Sequence, residues 1–189
     1  MKTKRKILLV IVISLLFVLS TITSANVLAA SKKKVQGSRP KQYKVVVPGV
    51  LSRSGLPNSK QFKTLQSLGV KSVVNLMPTN GKGGKGGAGA LGFRYLYLPI
   101  TESFPPTIEQ ANKFLAFVKN PANWPVDIYC KAGNARTGTL VAIYRYSVQG
   151  WTMQKAIHES NHFGGGPSKK QIAWLNEWAR THASGAYPK

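Results

Sequence analysis

The only cysteine of this 189-residue chain, Cys130, is followed six positions later by Arg136 and then by the hydroxyl of Thr137, in the run Tyr129-Cys130-Lys131-Ala132-Gly133-Asn134-Ala135-Arg136-Thr137-Gly138. That set of groups suits chemistry on a phosphate. A thiolate is a strong nucleophile, but a phosphate dianion repels it. Catalysis therefore needs main-chain N–H donors and a cationic fork around the transferred group. Gly133 lets the backbone curl so that the amides of 131–136 converge as a nest, and a helix beginning near Thr137 adds the positive end of its dipole. Arg136 offers a planar guanidinium to two phosphoryl oxygens, and Thr137 can donate to the sulfur as it departs. Cys130, Arg136 and Thr137 are the expected catalytic set, with Lys131, Ala132, Gly133, Asn134 and Ala135 as the substrate-binding segment.

Regular elements must hold this loop in place. Val126 to Tyr129 predicts a buried strand leading into it, and Thr137 to Val148 a helix leading out and ending at Gly150. Upstream, Tyr43 to Val47 predicts a strand, and Asn58 or Ser59 caps a helix with Phe62, Leu65 and Leu68 on one face, closed by Gly69. Val70 to Leu76 and Phe93 to Ile100 predict two more strands. Thr107-Ile108-Glu109-Gln110 forms a capping box after Pro105-Pro106, opening a helix with Ala111, Phe114, Leu115 and Val118 inward. Thr152 caps a short helix to about Ser160, and Ser168 caps the last one, with Ile172, Leu175 and Trp178 on its core face. Strands interleaved with helices predict an α/β single domain, its central sheet of four or five strands flanked by helices. Gly81 to Leu91 reads as a flexible basic loop. Its G-x-G-x-x-G match is rejected as a nucleotide site because no helix pattern follows and no acidic residue stands about twenty positions on.

The cysteine loop, together with Gly49-Val50-Leu51-Ser52-Arg53-Ser54-Gly55-Leu56-Pro57, Leu68 to Leu76, Tyr144-Arg145, Gly150-Trp151-Thr152 and Ala156-Ile157-His158-Glu159, resembles the protein tyrosine phosphatase superfamily. More specifically it is similar to the atypical dual-specificity branch of bacterial secreted type, over residues 43 to 166. The resemblance implies hydrolysis of phosphomonoesters through a phosphocysteine, with no metal or other cofactor. It also implies that Glu159 occupies the branch's helix-end glutamate position and pairs with Arg53. Family members carry a histidine before the cysteine, where this chain has Tyr129, so a weaker nucleophile is expected. Their general acid is an aspartate about thirty residues upstream of the cysteine. Of the five carboxylates here, only Glu102 lies in a matching loop, Leu98 to Pro106, and it is the candidate acid. Aryl phosphates leave with less help from an acid than alkyl phosphates do, which tilts the expected substrate toward phosphotyrosine-like esters.

The chain carries 27 basic and 5 acidic residues, a net charge of +22. Met1 to Lys6 is cationic, Ile7 to Leu19 is apolar apart from Ser14, and Ala29 or Ala30 offers a small cleavage residue. Residues 1–30 therefore read as a signal peptide, or as a retained membrane anchor. Their removal takes four basic residues and no acids, leaving +18. Residues 31–42 read as a basic tether and 43–189 as the phosphatase-like domain, exported and either secreted or held at the cell surface. Such a field draws in phosphorylated proteins, phosphoinositides, inositol phosphates and anionic surfaces. No specific nucleic-acid partner is expected, since basic residues do not alternate with exposed aromatics. The domain is expected to be a monomer. Lys131, with Lys82 or Lys85, is expected to widen tolerance to ligands bearing several phosphates.

Two rival readings remain at this stage. His158-Glu159-Ser160-Asn161-His162 matches the zinc metallopeptidase pattern H-E-x-x-H, although Ser168 stands where the longer form of that pattern expects a third histidine. Tyr129 and the missing aspartate also suit a pseudophosphatase, a cradle that binds phosphorylated ligands without turning them over.

Overall fold

Apolar runs become strands and amphipathic runs become helices in the computed structural model, which describes residues 37–80 and 85–187. In chain order the elements are β1 (Lys44–Val47), β2 (Leu51–Gly55), α1 (Ser59–Ser67), β3 (Ser72–Asn75), α2 (Lys85–Gly89), β4 (Arg94–Tyr97), α3 (Ile108–Lys119), a 3-10 turn (Pro121–Asn123), β5 (Val126–Cys130), α4 (Ala135–Ser147), α5 (Met153–Asn161) and α6 (Lys169–Thr181). The expected leader at 1–30, residues 31–36 of the expected tether, and Lys82 lie outside the described residues. The last part of the tether contacts the domain: Lys41 O accepts from Gly55 N–H at 2.7 Å, and Arg39 O from the Gln61 side chain at 3.2 Å.

The five strands form one mixed sheet in the order β1-β2-β5-β3-β4, with only β1 antiparallel to its neighbour. Parallel strands end on the same side. β2, β3, β4 and β5 therefore deliver the segments after Gly55, Asn75, Tyr97 and Cys130 to one edge, where α/β sheets place their ligands. β5 is the middle strand, so the cysteine emerges at the centre of that edge.

Side chains alternate across β5 with the period of two that a strand imposes. Ile128 and Cys130 face a larger core with α3, α4, α5 and α6, whereas Tyr129 faces a smaller core with Phe62, Leu65, Val73 and Phe93. Helix α4 is buried from Arg136 to Ser147, as a helix between a sheet and further helices must be. α3 buries Ala111, Phe114, Leu115 and Val118, as its pattern predicts.

Three elements differ from the reading of the sequence. α2 forms inside the segment expected to be a loop. β2 is a strand without an apolar pattern, because its polar residues are buried against partners of their own. In α6 the inward set is Gln171, Leu175 and Trp178, with Ile172 only half-buried.

Asp127 explains the serines of β2. It is fully buried, and Ser52 and Ser54 donate to its Oδ1 and Oδ2 at 2.6 and 2.7 Å. Burial pushes its carboxyl up to about 6, with the two hydroxyls pulling the other way. A carboxyl whose pKa rises on folding holds its proton more tightly in the folded state. Its favourable contribution is thus complete below the unfolded value near 4 and is lost as pH rises through about 6. Urea-unfolding free energies should show the parent losing up to about 3 kcal/mol between pH 4 and 7 relative to Asp127→Asn; parallel profiles for the two proteins would contradict this account.

Candidate active site

The loop from Lys131 to Asn134 joins β5 to α4 and presses against the end of β2. Gly133 has φ +78°, and a Cβ there would come 2.6 Å from Gly55 N and 2.7 Å from Ser54 C, so no side chain fits. The loop's carbonyls are tied outward. Lys131 O accepts from Leu56 N–H at 3.3 Å, Gly133 O from Arg53 Nη2 at 2.7 Å, and Asn134 O from Gly138 N–H at 2.6 Å and Arg53 Nη2 at 3.4 Å. In a planar trans peptide the C=O and the following N–H point in opposite directions. Fixing those carbonyls therefore turns the N–H groups of Ala132, Asn134 and Ala135 to the loop's inner side. Among the described residues, no acceptor is taken by the N–H groups of Lys131, Ala132, Gly133 or Asn134. Unspent amides at the start of a helix form an anion-binding concavity.

Arg53 lies beneath this loop, fully buried, with its guanidinium 4.0 Å from the centroid of Phe163. Its Nε and Nη1 have no hydrogen-bond partner among the described residues. Burial pushes its pKa down to about 10, against the pull of Cys130 and, more weakly, Glu159. The expected Arg53–Glu159 pair is corrected by the geometry. Glu159 gives both oxygens to Arg145, at 2.9 Å from Nε and 2.6 Å from Nη2. Arg145 binds Val46 O and Gln149 as well and stacks 4.4 Å from Trp151, so it reaches the carboxylate first. This also removes the metallopeptidase reading. Its general base is committed to an arginine, and α5 ends at Asn161, before His162.

A cleft of about 240 Å³ opens between the cysteine loop, Gly164–Gly166 and Glu102. Cys130 forms part of its wall. Arg136 is almost fully buried, with Nη1 donating to Ile100 O at 3.2 Å and Leu76 O at 3.4 Å, while Nε and Nη2 donate to no acceptor among the described residues. The ends of β3 and β4 thus aim the fork and leave part of it free. Thr137 Oγ1 is buried without a partner among the described residues and makes no bond to the sulfur here. Lys131 is exposed beside the loop.

Glu102 sits in the turn Thr101–Phe104, closed by Phe104 N–H to Thr101 O at 3.1 Å. The other four carboxylates are committed: Asp127 to two serines, Glu109 to Lys113, Glu159 to Arg145 and Glu177 to Arg180. In a chain with 27 basic residues, the one carboxylate without a partner among the described residues faces the same cleft as the cysteine.

Tyr129, which replaces the family's histidine, points away from the cleft. Its ring meets Phe62 edge-on at 5.9 Å, its hydroxyl bonds with Tyr95, and burial keeps its phenol protonated. Reasoning from sequence missed two features. Arg53 was read only as Glu159's partner, although an arginine inside a strand of small polar residues signals a buried guanidinium with main-chain partners. Gly164–Gly166 was given no part in the expected site, yet three consecutive glycines at φ +67°, +107° and +62° form a wall without side chains. Asn134 Nδ2 ties that wall to the loop through Gly164 O at 2.9 Å.

Residues 38–178, which include this cysteine–arginine loop at the carboxyl edge of the sheet, match the model of the tyrosine phosphatase family. The chain belongs to that family. It is 35% identical over 116 residues to the dual specificity protein phosphatase TpbA of Pseudomonas aeruginosa, covering 61% of this chain and 52% of the relative. It therefore spans about half the length of that relative. It is also 30% identical over 129 residues to the inositol diphosphatase DSP4 of Arabidopsis thaliana, 66% of this chain and 64% of the relative. The solved structure of Pseudomonas aeruginosa TpbA aligns with a TM-score of 0.63 at 31% identity, over 78% of this chain and 92% of that one. A complex of TpbA with phosphotyrosine aligns at 0.62 and 30%, over 77% and 91%.

Two outcomes follow from the loop's architecture. Gly133→Ala should lower unfolding stability by more than about 1 kcal/mol and weaken inhibition by inorganic phosphate, read from urea curves and inhibition constants. Arg53→Met, checked for folding by circular dichroism, should slow iodoacetamide alkylation of Cys130 at pH 7 by at least about threefold, because a cation near the sulfur is lost. Alkylation at the parent rate would remove Arg53 from the account.

Proposed function

We propose that the protein is a cysteine-dependent phosphatase that hydrolyses phosphomonoesters through a phosphocysteine at Cys130. The observation that carries this reading is the set of unspent amides turned inward around a cysteine, with Arg136 in the same cleft. Such donors stabilise the equatorial oxygens of a phosphoryl group in flight. In the first step Cys130 Sγ attacks phosphorus in line, the ester P–O bond breaks, and Glu102 supplies a proton to the leaving oxygen. In the second, Glu102 takes a proton from water, whose oxygen attacks the phosphocysteine. The S–P bond breaks, inorganic phosphate departs, and Thr137 eases release of the thiolate by donating to it. Water thus returns to Glu102 the proton given to the leaving oxygen, and its remaining O–H stays on the departing phosphate.

Aryl esters of the phosphotyrosine type are the leading substrate class in this reading, supported by the likeness to TpbA. Phosphorylated inositols are the second, supported by the likeness to an inositol diphosphatase and by the basic residues near the cleft. In our reading the domain acts outside the cytoplasmic membrane, on the strength of the leader pattern in residues 1–30, and its charge holds it near anionic surfaces.

Residues 31–189 should turn over an aryl phosphate in the presence of chelator. Cys130→Ser should abolish that turnover, and Arg136→Lys should lower kcat/KM by about 10²-fold or more. Tight phosphate-ester binding without turnover in the parent would instead identify a binding protein. A panel of phosphotyrosine peptide, phosphoinositide and inositol phosphates ranks the substrates.

A further inference from the structure

The first turn of α6 is locked onto the turn that carries Glu102. Ser168 and Gln171 form the capping box of that helix. Gln171 N–H donates to Ser168 Oγ at 3.3 Å, and Ser168 N–H donates to Gln171 Oε1 at 2.8 Å. Each side chain still has a donor to place, and both place it on the same neighbour. Ser168 Oγ donates to Ser103 O at 2.8 Å, and Gln171 Nε2 donates to Phe104 O at 2.8 Å. Lys170, between them, sets its ammonium 4.4 Å from the centroid of Phe104.

These contacts explain two anomalies. Gln171 is fully buried where the helical pattern calls for an apolar residue, a position that an amide tolerates only when its hydrogen bonds are made. Ser103 holds φ +67°, a left-handed conformation that a serine keeps only when its surroundings fix it. A turn closed between residues 101 and 104 with that conformation at its third position puts Glu102 at its corner.

We propose that Ser168 and Gln171 are positioning residues for catalysis, holding the Thr101–Phe104 turn so that Glu102 stays within reach of the leaving-group oxygen. This rests on the reading of Glu102 as the acid. Proton transfer requires hydrogen-bond reach, and a misplacement of about 1 Å costs on the order of 10²-fold.

The test uses two substitutions that keep the capping box. Ser168→Asp and Gln171→Glu retain the acceptors the box needs, since aspartate caps as well as serine and glutamate closes the box as glutamine does. Each removes the donor to the Glu102 turn. With parent and Glu102→Gln alongside, kcat/KM is measured on an alkyl phosphate and on an aryl phosphate with a good leaving group. This parameter reports the step in which the leaving oxygen is protonated. Each clamp variant should lose about 10- to 100-fold on the alkyl ester and less than about twofold on the aryl ester. Either one combined with Glu102→Gln should cause no further loss on the alkyl ester, and Ser168→Thr, which keeps both hydroxyl bonds, should restore the rate.

Equal losses on the two esters, losses that multiply in the double variant, or unchanged alkyl turnover in the clamp variants would overturn the proposal. If Glu102→Gln itself leaves alkyl turnover intact, the acid assignment falls and the proposal falls with it. If Glu102→Gln is impaired while the clamp variants are not, only the proposal fails.

Discussion

The site depends on where the carbonyls of one short loop are tied. Lys131, Gly133 and Asn134 give their oxygens to Leu56, Arg53 and Gly138, and peptide planarity then sends neighbouring N–H groups the other way. Without those ties each peptide could flip and present an oxygen to an anion. The ties require β2 to lie beside β5 with Gly55 opposite Cys130, and that adjacency requires polar residues of β2 to be buried. Asp127 satisfies two of them, and the loop carbonyls take one nitrogen, Nη2, of the third. A buried carboxylate and a buried guanidinium, each costly alone, are what a strand must carry to grip this loop from behind.

Charge is distributed with the same economy. A chain this poor in acids places three of its five carboxylates in ion pairs and a fourth, Asp127, between two serines, and the Arg145–Glu159 pair joins α4 to α5 while Arg145 also reaches β1 through Val46 O. Breaking a partly buried pair of this kind from one side leaves an uncompensated charge. The helix that starts at the phosphate loop is thereby fixed at its far end as well.

Much of this was legible in the sequence. The loop, the capping box at Thr107, the cap at Ser168, and the strands at β1, β3, β4 and β5 all have local signals: a spacing, a cap, an apolar run. Glu102 emerged as the candidate by elimination because so few acids exist, and it lines the same cleft as Cys130. β2 could not be read, since Leu51-Ser52-Arg53-Ser54-Gly55 has no periodicity and owes its burial to partners more than seventy residues away. The Arg53–Glu159 expectation failed for the same reason: which arginine reaches a carboxylate depends on how two helices pack, and Arg145 was nearer. Gln171 was left out of the expected core face of the last helix, Ile172, Leu175 and Trp178, because its amide meets carbonyls in a loop distant in sequence.

The glycine wall opposite the cysteine carries a separate consequence. Gly164 and Gly166 are locked in by contact with Asn134 and Asn161, but a Cβ at Gly165 would meet nothing within 4 Å. Its conformation, φ +107°, is the main obstacle to a side chain there. The breadth of the cleft's doorway is consequently held open by backbone shape and not by crowding: a side chain at this one position would narrow the entrance, against the strain that a left-handed backbone imposes on it.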